Sequence, residues 1–414
     1  MEDYPWVNDL RLRAAFGEVG NNAGVDYYAY QALYELDKNG GNTALMKQSL
    51  DASDIKWETT RTFDLGLEGS LFDKRLNFML GWFDKQSVDL LFKVKLPLSA
   101  GSWSHQDDSG EYNMTKYQNI GSISNRGFEL SLNGDIIRTK NLTWSLGTEA
   151  TILRNKIKCL PNDNAEMPNG NIRRFAVGKS IYEFYTYHFE GVDQLTGRSL
   201  YTLDPDQREN ANRAGELVTI NGVDYTSDTA YGKRDWAGTA LPNIYGSFNT
   251  NLRYKNFTFS ALFTWSLGGK MFDGSYRSLM STNSASSASN NHKDVLKSWR
   301  QAPDGMTEND PNRIDPNGIP SIDFNRSQKS NDTSDRWLTS NNYFVIKNVN
   351  LSYTLPKRWT NAAGMESASI NASVENLLSL SARTGMNPQY SFNGDYENTY
   401  VTARVFNLGV TINF

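Results

Sequence analysis

A single cysteine, Cys159, stands in 414 residues, so no internal disulfide can form and the chain is not a disulfide-stapled scaffold. No run of about 18 apolar residues occurs, which excludes a transmembrane helix. Clusters of Lys and Arg are missing as well. With 42 basic against 46 acidic residues and a net charge of -4, the chain carries no electrostatic footprint for nucleic acid. The opening residues, MEDYPWVNDLRLRAAFGEVGNN, hold no basic segment followed by an apolar one, so they encode no secretory signal. That leaves a cytosolic protein or a start upstream of Met1. Histidine is scarce too: His105, His188 and His292 are scattered, and no HExxH, Walker loop, nucleophile elbow or CxxC occurs. Carboxylates such as Asp107 and Asp108, or Asp204 and Asp206, lie in polar loops and read as solvated. Calcium would suit such oxygen donors, but they are sparse, and neither a metal nor a cofactor is expected.

What the sequence does have is alternation. Phe406, Leu408, Val410, Ile412 and Phe414 share one register, with Asn407, Gly409, Thr411 and Asn413 on the other. That is a strand with one apolar and one polar face. The pattern recurs at Leu10 to Phe16, and at Phe63, Leu65, Leu67 and Leu71 followed by Leu76, Phe78, Leu80 and Trp82. It returns at Phe128, Leu130 and Leu132, then Leu142, Trp144 and Leu146, and at Ile244, Phe248, Leu252 and Tyr254, then Phe257, Phe259, Phe263 and Trp265. Val345, Val349, Leu351 and Tyr353, then Ile370, Ala372 and Val374, complete the set at ten strands. Many run to about ten residues, where strands of soluble sheets run about five or six and a tilted membrane-spanning strand needs about 9 to 11.

The connections alternate in length. Short links at 73–74, 138–141, 255–256 and 356–367 separate long ones at about 17–60, 84–121, 157–242, 269–342 and 379–401. All tight turns therefore lie at one end of the sheet and all large loops at the other, the arrangement of an outer-membrane β-barrel with short periplasmic turns. The terminal Phe414 then sits at the periplasmic interface, where aromatic girdles belong. Alternation alone suits a soluble antiparallel sandwich equally well; length and parity favour the barrel.

Several stretches resemble the SusC/RagA-type TonB-dependent outer-membrane transporters of Bacteroidetes: LRLRAAFGEVGNN (10–22), KWETTRTFDLGLEGSLFDKRLNFMLGWFDKQSVDLL (56–91), NIGSISNRGFELSLNGDIIRTKNLTWSLG (119–147) and FEGVDQLTGRSLY (189–201). So do ALPNIYGSFNTNLRYKNFTFSALFTWSLGGKMFD (240–273), YFVIKNVNLSYTLP (343–356) and SVENLLSLSARTGMNPQ (373–389). The resemblance implies an all-β, antiparallel transmembrane barrel of about 22 strands, of which residues 1–414 form the C-terminal portion, without signal peptide, TonB box or plug. It implies localisation in the outer membrane and active import of oligosaccharides or peptides, with a SusD-like surface lipoprotein closing over the loops and the TonB complex acting through the plug. No enzyme chemistry is implied. A passive channel or adhesin barrel and a secreted carbohydrate-binding sandwich remain as alternatives.

Loop aromatics Trp103, Trp236, Trp299, Trp337 and Tyr390 are the ligand-binding candidates, because flat rings beside amides stack on sugars or bury against a partner. Polar-register residues Glu68, Glu129, Glu149, Asn249 and Arg253 are the candidates for lining the lumen, and Trp82, Trp144 and Trp265 for facing lipid or joining the aromatic girdle. The loops 84–121, 157–242 and 269–342 are the expected contact surface for the lipoprotein.

Overall fold

The structure is a computed structural model and describes residues 4–23, 25, 27–47, 49–95, 115–281, 290–396 and 400–414. Ten long strands dominate it: β1 (Val7–Asn21), β2 (Glu58–Leu71), β3 (Leu76–Val88), β4 (Ser122–Arg138), β5 (Leu142–Cys159), β6 (Ile244–Tyr254), β7 (Phe257–Leu267), β8 (Tyr343–Thr354), β9 (Ser367–Ser381) and β10 (Val405–Asn413). Their lengths run from nine residues in β10 to 18 in β5. Among the described residues no helix is long and apolar enough to cross a membrane, which says nothing about strands.

The chain divides into two compact units, Met1–Gly134 with Thr151–Met167 and Phe175–Ile181, and Asp135–Ala150 with Pro168–Arg174 and Tyr182–Phe414. In the first, β1, β2, β3 and β4 pair in that order, all antiparallel. In the second, β6, β7, β8, β9 and β10 do the same. Registers put apolar residues opposite one another. Leu12 faces Leu67, Leu67 faces Leu80 and Leu80 faces Leu130 in the first unit. In the second, Phe259 faces Leu351, Leu351 faces Ala372 and Ala372 faces Leu408.

These apolar rows are not covered. Leu12, Phe16, Phe63, Leu65, Leu80 and Phe128 are exposed in the first unit, and Leu351, Ile370, Phe406 and Val410 in the second, with Leu408 exposed to 80%. A sandwich would bury such a register between two sheets. A contiguous exposed apolar face is what lipid contact requires. Leu80→Arg is therefore expected to cost about 2–4 kcal/mol of stability in bilayers, whereas Ser131→Arg, on the polar register of the adjoining strand, costs far less. Urea unfolding in lipid vesicles measures both, and equal losses would contradict the assignment of faces.

The short turns fall where the alternation puts them. Phe72, Asp73 and Lys74 all have positive φ (55°, 56° and 62°), a cramped reversal that matches the twist of a hairpin. It is held by the Phe72 amide donating to the Trp6 carbonyl (2.8 Å) and the Lys74 amide to Asn8 Oδ1 (2.9 Å). Lys255 (φ 51°) turns the β6–β7 hairpin, and the last link contains a short helix, Lys357–Ala362. Aromatic rings flank the short links of each unit: Trp6 stacks on Phe72 in the first, and Phe257 lies 4.5 Å from Tyr353 in the second.

One register differs from the sequence reading, which set Val345 beside Val349. Phe263 pairs with Ile346 but Leu262 with Asn348, so Lys347 forms a bulge. An extra residue flips every side chain beyond it. Phe344 and Ile346 therefore join Phe263 on the apolar face, where Phe248 and Phe263 stack at 4.4 Å, while Val345 turns to the other face and is buried.

Candidate functional site

Buried side chains are concentrated in the long loops of the second unit rather than in its strands. Glu183–Tyr187 pairs with Arg234–Thr239. Lys270–Asp273 takes Leu338–Ser340 on one side and Asp395–Tyr396, in parallel, on the other. A five-stranded sheet runs in the order Leu217–Ile220, Val223–Thr226, Ser199–Thr202, Phe189–Asp193, Ile314–Asp315. Phe184 and Ala237 from the first of these pairs, Phe272 from the second, and Ala240, Met280 and Trp337 from the adjoining segments form a hydrophobic core, and Met271, Met386 and Tyr396 a smaller one. The loops thus fold into a module with an interior of its own.

Buried ion pairs brace that module. Arg313 donates from Nε and Nη2 to the two carboxylate oxygens of Asp193, at 2.8 and 3.0 Å, and the Asp193 side chain is wholly buried. Burial by itself would push the Asp193 carboxyl up; hydrogen bonds from Arg313, Thr196 and the Leu195 amide outweigh it and hold the group below its ordinary range. Glu216 is buried among Arg326 (2.6 Å), Lys329 (2.9 Å) and the Ser227 hydroxyl. Here too burial acts upward, yet the three donors hold the carboxyl at about 2. Arg173 grips Asp395 with both terminal nitrogens (2.7 and 2.8 Å), also donates to the Asn393 carbonyl and lies over the Phe184 ring. That clamp ties the loop after β9 to the module.

The candidate aromatics separate by environment. Trp337 is 1% exposed; its Nε1 donates to the Asp332 carbonyl (2.8 Å) and Arg336 stacks on its ring. Trp299 is half-buried, its Nε1 donating to the Gln194 carbonyl (3.0 Å) and its ring covering Gly197, where any side chain would collide. Trp236 is half-buried edge-on to Tyr185 at 5.0 Å. Tyr390 presents its ring to solvent, 66% exposed. Trp103 lies outside the described residues, as do His105, Asp107 and Asp108. Phe324, Phe392 and Tyr400 are further exposed loop aromatics, which nothing in the sequence distinguishes from buried ones.

On the strands, Glu68 pairs with Arg13 (3.1 Å) on the polar register that also carries Arg11, Met79, Ser131 and Glu129. A polar hollow opens there between Arg11, Glu68, Asn77 and Asn133. In the second unit Asn249 and Arg253 share the polar register of β6, and Arg253 reaches Thr143 Oγ1 at 3.5 Å. Glu149 is exposed on β5, in phase with Thr143 and Ser145. Trp82 sits edge-on to Phe63, and Trp144 donates to Thr250 Oγ1 (3.0 Å). Among the described residues no three His, Cys, Asp or Glu side chains converge as metal ligands would.

Residues 3–377 match the family model described as TonB dependent receptor-like, beta-barrel. The chain belongs to that family. Among curated relatives, TonB-dependent receptor P3 of Formosa agariphila is 25% identical over 438 residues, covering 100% of this chain and 40% of the relative. TonB-dependent receptor SusC of Bacteroides thetaiotaomicron is 24% identical over 434 residues, covering 100% and 38%. The solved RagAB peptide transporter superposes with a TM-score of 0.76 at 22% identity, covering 99% of this chain and 41% of that one. The chain thus spans about two fifths of the length of these relatives. Its strands are those of an outer-membrane barrel, and the exposed apolar register is its lipid face.

Proposed function

We propose that this chain is the C-terminal barrel portion of a SusC-like active importer that takes up oligosaccharides or peptides across the outer membrane. In this reading its long-loop module receives a SusD-like surface lipoprotein, and the TonB complex drives uptake through a plug carried elsewhere. The observation that supports it is an asymmetry within the second unit: the β4–β5, β6–β7 and β8–β9 links are short, while the long loops build a cored module braced by Asp193–Arg313, Glu216–Arg326 and Arg173–Asp395. A passive pore has no need of a rigid outer platform, but a partner that must dock does. Trp236, Trp299 and Tyr390 would belong to the substrate and partner surface, and Glu68, Glu129, Glu149, Asn249 and Arg253 to the passage and plug-facing wall.

Uptake of labelled oligosaccharides and peptides by cells with and without the coding region tests the proposal, together with affinity capture through a tag on the protein. The expected result is loss of uptake of one substrate class, abolition of that uptake by an uncoupler of the proton gradient, and co-purification of a surface lipoprotein. Uptake that persists in uncoupled cells would identify a passive channel instead.

A further inference from the structure

The short-turn end of the second unit carries a set of cations that the transport reading leaves unused. Arg138 ends β4 and Lys140 stands on the β4–β5 link, Lys255 on the β6–β7 link, and Lys357 and Arg358 on the β8–β9 link. All five are exposed, and among the described residues none of them makes an ion pair. The three links are neighbours: the Lys255 amide donates to the Asn141 carbonyl (2.8 Å), the Thr354 amide to the Asn256 carbonyl (2.9 Å), and Asn256 Nδ2 to the Thr354 carbonyl (2.7 Å). Against them stand Glu366, exposed, and Asp135, which accepts from Ser145 (2.8 Å).

A second feature adjoins the charge. A hollow is bounded by Arg253, Lys255 and Lys357 together with Tyr254, Phe257 and Tyr353. Tyr254, Phe257 and Trp359 are each about half exposed, and Lys255 Nζ stands 5.4 Å from the Tyr254 ring centre. Aromatic rings of this kind occupy the interface where headgroups begin, and unpaired Lys and Arg just beyond them attract anionic lipid at roughly fivefold per cation. Soluble surfaces disperse their charge among partners of opposite sign, whereas here one sign is gathered on three adjacent links beside a belt of rings.

From this juxtaposition we propose that the short-turn face of the second unit is an anionic-phospholipid site, in which Lys140, Lys255 and Lys357 hold the phosphate of a headgroup in the periplasmic leaflet while Tyr254, Phe257 and Tyr353 pack on its glycerol and upper acyl carbons. The proposal rests on the barrel fold, not on the identity of any imported substrate.

The full protein, reconstituted into nanodiscs of phosphatidylcholine alone or of equal parts phosphatidylcholine and phosphatidylglycerol, is extracted in mild detergent and its retained lipids are counted by native mass spectrometry. Heat-modifiable migration is followed in parallel as the sign of an embedded barrel. The expected result is selective retention of phosphatidylglycerol, weakened by salt, reduced roughly tenfold or more in the triple variant K140Q/K255Q/K357Q, and preserved in K140R/K255R/K357R. An embedded protein with no preference for phosphatidylglycerol, or a triple Gln variant with the preference intact, overturns the proposal. Displacement of the lipid by soluble glycerol phosphate also overturns it, by showing a site for free phosphate. Should the Gln variant fail to embed, the wild-type salt dependence and the Arg variant still decide. Failure of the wild type to embed would count against the barrel itself.

Discussion

Trp337→Ala is expected to open the long-loop module by about 3–5 kcal/mol while leaving the strand ladders intact. Trp337 is the largest fully buried side chain described, packed with Phe184, Phe272 and Met280 and edge-on to Tyr276 at 5.9 Å. Its removal leaves a cavity in the loop core, and it frees both the Asp332 carbonyl and the Arg336 guanidinium that stacks on it. Trp337→Phe keeps most of the volume and loses the hydrogen bond, so its expected cost is nearer 1–2 kcal/mol. Hydrogen exchange resolved by segment measures both: amides of Lys270–Asp273 and Leu338–Ser340 should lose protection, and those of β6 to β8 should not. If loop protection is unchanged in Trp337→Ala while ligand or partner binding is lost, Trp337 acts as a contact residue, not as a core residue.

That contrast marks where the sequence stops being legible. Strand positions follow from a period of two and a polar or apolar choice at each residue, so β6 and β7 are readable from Ile244 to Trp265 without any knowledge of neighbours. Parity of the links is equally local, which is why the turns at Asp73–Lys74 and Lys255–Asn256 stand where alternation puts them. The bulge at Lys347 is not local. Nothing in FVIKNVN announces an extra residue, and it is fixed only by which partner each residue meets on β7 and β9. Loop structure is hidden for a related reason: short strands such as Ser199–Thr202 and Ile314–Asp315 lie in one sheet although more than a hundred residues separate them in the chain. A Trp in such a segment looks the same in sequence whether it is solvent-facing or at the centre of a core. The exposed Tyr390 and the buried Trp337 differ only in what the distant chain brings to them. Buried charge is equally unreadable, since Arg313, Arg173 and Glu216 resemble any other polar loop residue until their partners at Asp193, Asp395 and Arg326 are known.

The buried Asp193–Arg313 pair carries the other large expected effect. Both side chains are sequestered, and removing one partner strands the other's charge in a medium that solvates it poorly, so Asp193→Ala is expected to cost about 3–5 kcal/mol of loop-module stability. Replacing both by apolar residues, as in D193L/R313M, avoids the stranded charge and should recover most of that loss. The same logic fixes the response to acid. Asp193 and Glu216 both titrate below their unfolded values of 3.8 and 4.5. A carboxyl depressed in the folded state contributes fully above its unfolded value and loses that contribution as pH falls through the folded one. The module should therefore keep its protection above about pH 4.5 and lose it as pH falls toward 2. In D193L/R313M one of the two buried carboxyls is gone, so the acid loss should be smaller than in wild type, and in E216Q/D193L/R313M smaller still. Segment-resolved exchange across this range measures the slopes; a module equally acid-labile in all three proteins would mean that other groups hold it together at neutral pH. The ion pairs would then be accessories to the apolar core around Trp337, and the single variant Asp193→Ala would owe its cost to the abandoned arginine alone.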